Sequence, residues 1–565
     1  MKQSRLFVRH WMKLILLFFL RLVGEGGEKM KASLVYINGE IITVDDMFSV
    51  YEAVAVVDNK ITAVGSNEEI NNWIGMETTV IDLNGNSLLP GFIDAHLHLL
   101  NFGLTKVSTN LKACKSIDEV LELLKAKAEL TTEGSWVRGW AYNDNNVAEN
   151  RMPNKKELDS VSTVHPIYIQ RSCGHVIAAN SKALEIGGIT AESLNPEGGE
   201  IERVDGAVTG VLKEAARMLV IDQDVYTEQE VFSGLHLAAK DYMQAGITSV
   251  HDMGGKGSDH LFYLQKVARD ADFKLRIYAS IVSFDNSSDA IDKTLDASIL
   301  TGLGNERFKI GPSKLFLDGS ITGQTVAMSE GYVTDPTNKG ILYKSQDDVN
   351  TIMERPHNAG CQITAHAIGD GAVEMMVNCI EHVVNEFPRE NHRHRIEHAS
   401  VCNPELVERI KKLNAVIVIN PAFFYDFGDE YVKYIGSKAE WMFPSQSYLE
   451  HGVKVAAGPD SPITDFEPLL GIQEIVTRKT KNGTIIGEKE CSSLEDAIRI
   501  FTINGAYASF EEEMKGSIEP GKLADFVILE GSILNTKPDH IKDIPIKQTV
   551  INGEIVYENP VAVMK

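Results

Sequence analysis

The sequence predicts an α/β protein, a (β/α)8 TIM barrel carrying a small β-sandwich domain built from both ends of the chain. Two observations predict it. Eight short apolar segments alternate with helical stretches between about residues 90 and 507, the pattern of parallel βα units. Short alternating segments separated by NG and DN turns, which is hairpin patterning, occur before that region and again after it. The 565 residues exceed what one hydrophobic core usually covers, so a large domain plus a smaller companion is expected.

Residues 1–29 differ from the rest: Lys2, Arg5, Arg9 and Lys13 precede an apolar run from Leu14 to Leu20 that Arg21 interrupts. The run is shorter than the ~20 residues a spanning helix needs, and no small-residue cleavage site follows it. Secretion is therefore not expected and a cytoplasmic location is. The purine-rich codons of GEGGEK, just before Met30, could read like a bacterial ribosome-binding site, which would make Met30 the start. The alternative is a segment lying on a membrane surface, so membrane contact is expected only if residues 1–29 are present.

Residues 30–89 carry LVYINGEIITVD, VYEAVAVVDNKITAVG and TTVIDLNGNSLLPG, and residues 508–565 repeat the pattern in LADFVILEG and QTVINGEIVYE. Together they are expected to form one composite sandwich. Between them, FIDAHLH, ITSVHDM, LRIYASI, SKLFLDG, QITAHAI, HRIEHAS, AVIVIN and VKVAAGPD supply eight barrel strands. A stretch at about 104–230, with the amphipathic helix IDEVLELLKAKAEL and the strand PIYIQRS, reads as an insertion over the barrel mouth.

Composition limits the partners. With 55 basic and 79 acidic residues the formal charge is −24, which opposes docking on nucleic acid or anionic lipid. The six cysteines are scattered without a CxxC pair, as expected for buried thiols in a reducing compartment, and Cys173 has no sign of being a nucleophile. A homo-oligomer is left open.

The chemistry is concentrated at the predicted strand ends. In DAHLH, strand alternation sends His96 and His98 to one side, where two imidazoles can grip one cation. His366 in TAHAIGD and His398 in RIEHAS reach the same rim if the strands close into a barrel, because the C-terminal ends of barrel strands converge. Satisfied core histidines are the bland alternative for each. Asp460 in AAGPDSP is read as a metal ligand and as the catalytic proton shuttle, against a turn-capping aspartate. Lys314 in SKLFLDGS cannot coordinate as an ammonium, but carboxylation would turn it into a carbamate able to bridge two cations. The alternative pairs it with Asp318. Asp318 and Gln324, just past that strand, are expected to line the mouth and meet substrate.

PGFIDAHLH, the lysine strand, the two histidine strands, GPDSP and the closing PGKLADFVIL resemble the amidohydrolase superfamily across nearly all of Met30 to Lys565. More narrowly, RSCGHVIAANSKAL, GEIERVDGAVTGVLKE, KLFLDGSITGQT and TAHAIGDGAV resemble the amidohydrolase family 3 branch that includes N-substituted formamide deformylase. The resemblance implies one or two divalent metal ions of zinc type, with His96, His98, Lys314, His366, His398 and Asp460 in the ligand positions. It also places His175, in RSCGH, within reach of the pocket as a substrate-binding residue, with a purely structural role as the alternative. The expected function is hydrolysis of a non-peptide carbon–nitrogen bond in a small amide or N-acyl amine by metal-activated water. A lyase, isomerase or esterase on the same scaffold, or a noncatalytic binding protein, is the alternative.

Overall fold

The computed structural model describes residues 31–560 apart from 173, 197, 256, 258, 284 and 285. The expectations for residues 1–29 and for Cys173 therefore lie outside the described residues. The chain forms two compact units, one comprising the residues up to His98 together with Ala239–Lys565, the other Leu99–Ala238. Among the described residues no helix is long and apolar enough to cross a membrane.

In the first unit, eight strands pair in sequence order: β1 (Phe92–Leu97), β2 (Ile247–Asp252), β3 (Arg276–Val282), β4 (Phe308–Phe316), β5 (Ile363–Ala367), β6 (Arg395–His398), β7 (Val416–Ile419) and β8 (Lys454–Ala457). Every pairing is parallel. These are the eight segments read from the sequence. Strands such as VIVI of β7 are buried along their whole length, as a parallel sheet covered on both faces demands. The sheet curls until its ends meet: the Asp460 amide donates to the His96 carbonyl at 2.9 Å and the His98 amide to the Ser461 carbonyl at 3.0 Å. Gly458 makes this closure feasible, because a Cβ there would fall 2.4 Å from both Asp94 Oδ1 and the His96 amide nitrogen.

Helices follow the strands: α1 (His260–Val267), α2 (Asp289–Asp296), α3 (Gln346–Asn358), α4 (Asp370–Glu386), α5 (Pro404–Leu413), α6 (Pro421–Ile435) and α7 (Pro468–Thr477) come after β2 to β8 in turn. Their starts are written in the sequence. Ser345 and Asp348 form a capping box on α3, and Asn403 caps α5, which has proline at its first position.

Near the start of β3, buried Arg276 makes a two-pronged ion pair with Asp525, with contacts of 2.7 and 3.0 Å. That pair ties the barrel to the residue before Phe526–Leu529, a strand in one of two further sheets. One holds Leu34–Ile37, Ala53–Val57, Lys60–Gly65 and Thr79–Asp82; the other joins Glu40–Ile42, Val50–Tyr51 and Ser87–Pro90 to Phe526–Leu529, Ile546–Ile551 and Glu554–Glu558. Leu34, Tyr36, Val54, Leu88, Phe526 and Val550 share one buried core between them.

The second unit is richer in strands than the single PIYIQRS segment suggested. It holds a six-stranded mixed sheet, with Ile117–Glu129 as its longest helix before residue 228. The strands Gly199–Val204 and Ala207–Glu214 form a hairpin whose Asp205 and Gly206 have φ of 51° and 79°, a turn that the VDGA sequence signals. Its interior is secured by Arg138, which grips Asp224 at 2.6 to 2.9 Å and stacks on Tyr226.

Candidate metal centre

At the C-terminal rim of the barrel, His96, His398 and Asp460 offer ligand atoms that all lie within 4.8 Å of one another, and all three residues are buried. Asp460 Oδ1 lies 3.6 Å from His96 Nε2 and 3.2 Å from His98 Nε2. Neither His96 Nε2 nor Asp460 Oδ1 has a hydrogen-bond partner, although both are buried. Buried polar atoms are normally satisfied, and an imidazole lone pair facing a carboxylate is the donor set of a divalent cation. The residues fit such an ion.

The other nitrogen of each ring is held. His96 Nδ1 lies 2.6 Å from Glu397 Oε2, His98 Nδ1 lies 2.7 Å from the Gly254 carbonyl, and His398 Nδ1 lies 2.6 Å from Asn420 Oδ1. Each partner can only accept there, which puts the proton on Nδ1 and leaves Nε2 with its lone pair. His366 is the reverse. Its Nε2 donates to the Gly319 carbonyl at 3.0 Å, which leaves the lone pair on Nδ1, and its ring lies 4.4 Å from that of His398, outside the set of three whose ligand atoms gather within 4.8 Å.

Electrostatics favour the same protonation states. Burial and the Lys314 ammonium push His96 down to about 3, against the pull of Glu397 and Asp460. Burial would raise the Asp460 carboxyl, but His98, His96 and His398 outweigh it and hold it below the usual carboxylate range. His366 and His398 are lowered, chiefly by burial. Three neutral imidazoles and an ionised carboxylate are what a cation needs at neutral pH.

Lys314 is completely buried, with its amine donating to the Met253 carbonyl at 3.1 Å. Burial lowers its pKa to about 8. Two non-glycine residues of the centre, His398 at φ 71° and Asp460 at φ 59°, adopt left-handed backbone, which costs about 1–3 kcal/mol each and marks a site held by its surroundings. The rim stays open on one side, since the His98 and His366 side chains keep 13% and 16% of their exposure. Phe423 stacks on His398 and half-buried Phe316 lies beside His366, so apolar rings flank two of the histidines.

The expectations for the substrate residues need correction at Asp318. It is 1% exposed, and its oxygens accept the backbone amides of Ala327, Ile368 and Gly369 at 2.8 to 3.0 Å. His366 Nε2 lies 3.5 Å from its Oδ1, and Lys314 is not among its partners. Its work is to pin the segment after β4 to the start of α4. Gln324 lies on that segment, half-buried, with its side-chain carbonyl accepting from Thr334 at 2.7 Å. His175 lies in the second unit, exposed and 2.9 Å from Glu214. Glu397 and Asn420, which orient two of the histidines, were missed in the sequence reading.

The model for the amidohydrolase family matches residues 79–557. The chain belongs to the amidohydrolase family. YtcJ of Bacillus subtilis (strain 168) is 31% identical over 524 residues, 90% of this chain and 96% of its own. The N-substituted formamide deformylase of Arthrobacter pascens is 28% identical over 559 residues, 93% and 98% of the two chains. The crystal structure of an uncharacterized metal-dependent hydrolase from Pyrococcus horikoshii OT3 is 26% identical, covers 90% of this chain and 99% of its own, and superposes with a TM-score of 0.76. As an amidohydrolase of this kind, the protein is a metal-dependent hydrolytic enzyme acting on carbon–nitrogen bonds.

Proposed function

We propose that the protein hydrolyses the carbon–nitrogen bond of a small amide or N-acyl amine, formamides included, at a zinc-type centre held by His96, His98, His366, His398 and Asp460, with Lys314 as a carbamate. The observation that carries this reading is the pair of buried, unpartnered atoms, His96 Nε2 and Asp460 Oδ1, facing one another beside His398. The deformylase relative supports the choice of substrate class. A divalent cation bound here would bring the pKa of coordinated water towards ~7 and polarise a carbonyl. Asp460, ionised and at the edge of the opening, takes the proton from the attacking water and delivers it to the leaving nitrogen. The buried Lys314 amine, lowered to about 8, has a neutral fraction able to add carbon dioxide near neutral pH.

Gln324, on the segment after β4, and His175 are kept as proposed substrate-binding residues. The test is metal content per chain by elemental mass spectrometry for wild type and Lys314→Ala, with amine release from a panel of N-formyl and N-acyl amines. Two ions falling to one or none support a carbamate-bridged pair. One ion unchanged by the substitution would remove Lys314 from the centre, and no metal in either protein would defeat the whole reading.

A further inference from the structure

Directly beneath His96, the barrel interior holds a set of polar side chains where apolar filling would be expected. Arg395 and Glu397 alternate along β6 and so point to the same side, where Thr364 of β5 and His251 of β2 meet them; all four are 0% exposed. The Glu397 carboxylate is fully subscribed. Oε1 accepts from Thr364 Oγ1 at 2.6 Å and from Arg395 Nε at 2.7 Å, while Oε2 accepts from Arg395 Nη2 at 2.9 Å and meets His96 Nδ1 at 2.6 Å. Arg395 also donates from Nη2 to the carbonyl of Ala95, the residue before His96, at 2.7 Å, and its Nη1 lies 3.0 Å from His251 Nδ1.

We propose that Glu397 is a positioning residue for the metal centre, with Arg395 and Thr364 as its supports. It acts through His96: an acceptor-only carboxylate at Nδ1 forces the proton onto that nitrogen, prevents the ring from turning over, and aims the Nε2 lone pair at Asp460. Arg395 keeps the carboxylate ionised in a place where an unpaired charge would be costly to bury, and through Ala95 it fixes the backbone that carries His96. A purely structural pair would have no reason to place its one remaining acceptor lobe against a ligand ring. The inference rests on the metal-centre reading above and extends it to the layer that orients the ligands.

The test uses the full-length protein, stripped with a chelator and titrated with Zn²⁺ against a chromophoric competitor, and separately with Co²⁺ for its visible spectrum. Glu397→Gln removes the acceptor charge and leaves the Arg395 guanidinium without its carboxylate partner. Glu397→Asp keeps the charge but withdraws the carboxylate from His96 by one methylene, so it decides the matter if the glutamine variant does not fold. The expected result is a 10- to 100-fold loss of Zn²⁺ affinity with an altered Co²⁺ spectrum in a folded protein. A folded Glu397→Asp protein with wild-type Zn²⁺ affinity and an unchanged Co²⁺ spectrum, even at a lower melting temperature, would reduce the network to a structural one and overturn the proposal. Wild type that takes up neither ion would overturn both this inference and the metal-centre reading.

Discussion

Asn420 Oδ1 lies 2.6 Å from His398 Nδ1, and the Nδ2 of the same asparagine donates to the Gly458 carbonyl at 2.7 Å. One buried amide at the end of β7 thus holds the His398 ring of β6, a proposed ligand, and the backbone that leads from β8 to Asp460. Asn420→Ala leaves His398 Nδ1 and the Gly458 carbonyl buried without partners. A stability loss of roughly 1–3 kcal/mol is expected, with metal affinity down about 10- to 100-fold. Urea unfolding and chelator competition read the two effects separately, and a variant that lost stability alone would leave Asn420 with no part in the centre.

Asp318 offers a second test, because its role departs from what its position in the sequence suggested. Three backbone amides converge on it, and Gly369 sits so close to the segment after β4 that a Cβ there would fall 2.1 Å from the Ala327 carbonyl. Asp318→Asn replaces one accepting oxygen by a donor facing an N–H. It should loosen both segments, including the Gly319 carbonyl that holds His366. The expected cost is about 1–3 kcal/mol, with faster proteolytic cleavage between residues 319 and 344 and a fall in turnover. A Gln324→Ala protein should keep its stability within about 0.5 kcal/mol and change KM instead. If Asp318→Asn changed KM alone, at wild-type stability, the carboxylate would be touching substrate after all.

The barrel and its histidines were legible because both depend on local pattern. Strand alternation puts His96 and His98 on one side whatever the surroundings, and each remaining ligand candidate sits near the end of an apolar run that reads as a buried strand. Asp318 was misread because its partners are backbone amides up to fifty-one residues away, which no spacing rule reveals. Glu397 was overlooked although its signal was present: two opposite charges at alternate positions in HRIEHAS must share the face that looks into the barrel. The second unit was under-read because its strands are short and mixed in direction, and only the VDGA hairpin announces itself.

Stability should fall on mild acidification for a reason separate from the metal centre. His357 Nε2 donates to the Phe387 carbonyl at 2.7 Å, so His357 Nδ1 accepts from His394 Nε2 at 2.7 Å, and His394 Nδ1 accepts the Ile363 amide at 3.2 Å. His392 Nδ1 accepts the His394 amide at 3.0 Å. Every ring is used in its neutral form. Burial is the main cause that lowers His357, pushes His394 well down and brings His392 to about 4. Folded values below the unfolded ~6.5 mean that this stability is complete above that pH and is lost as pH falls towards 4. Urea midpoints at pH 8, 6 and 5 should therefore drop more steeply for wild type than for His357→Gln, even though the variant starts lower. Parallel curves would assign the acid sensitivity to other groups.

Asp460 separates catalysis from binding most directly. Its Oδ1 faces His96 and His98, and its 9% side-chain exposure leaves it within reach of whatever enters the opening. Asp460→Asn preserves size and one ligand oxygen but cannot take a proton at neutral pH. Turnover should fall by about 10²- to 10⁴-fold, the usual worth of a positioned general base. Metal should remain bound, though more weakly, because the histidine rings are untouched. The two quantities are read by amine release under saturating substrate and by elemental analysis of the same sample. A variant that retained wild-type turnover with full metal would move the proton shuttle to another residue, whereas one that lost metal and turnover in proportion would make Asp460 a ligand and nothing more.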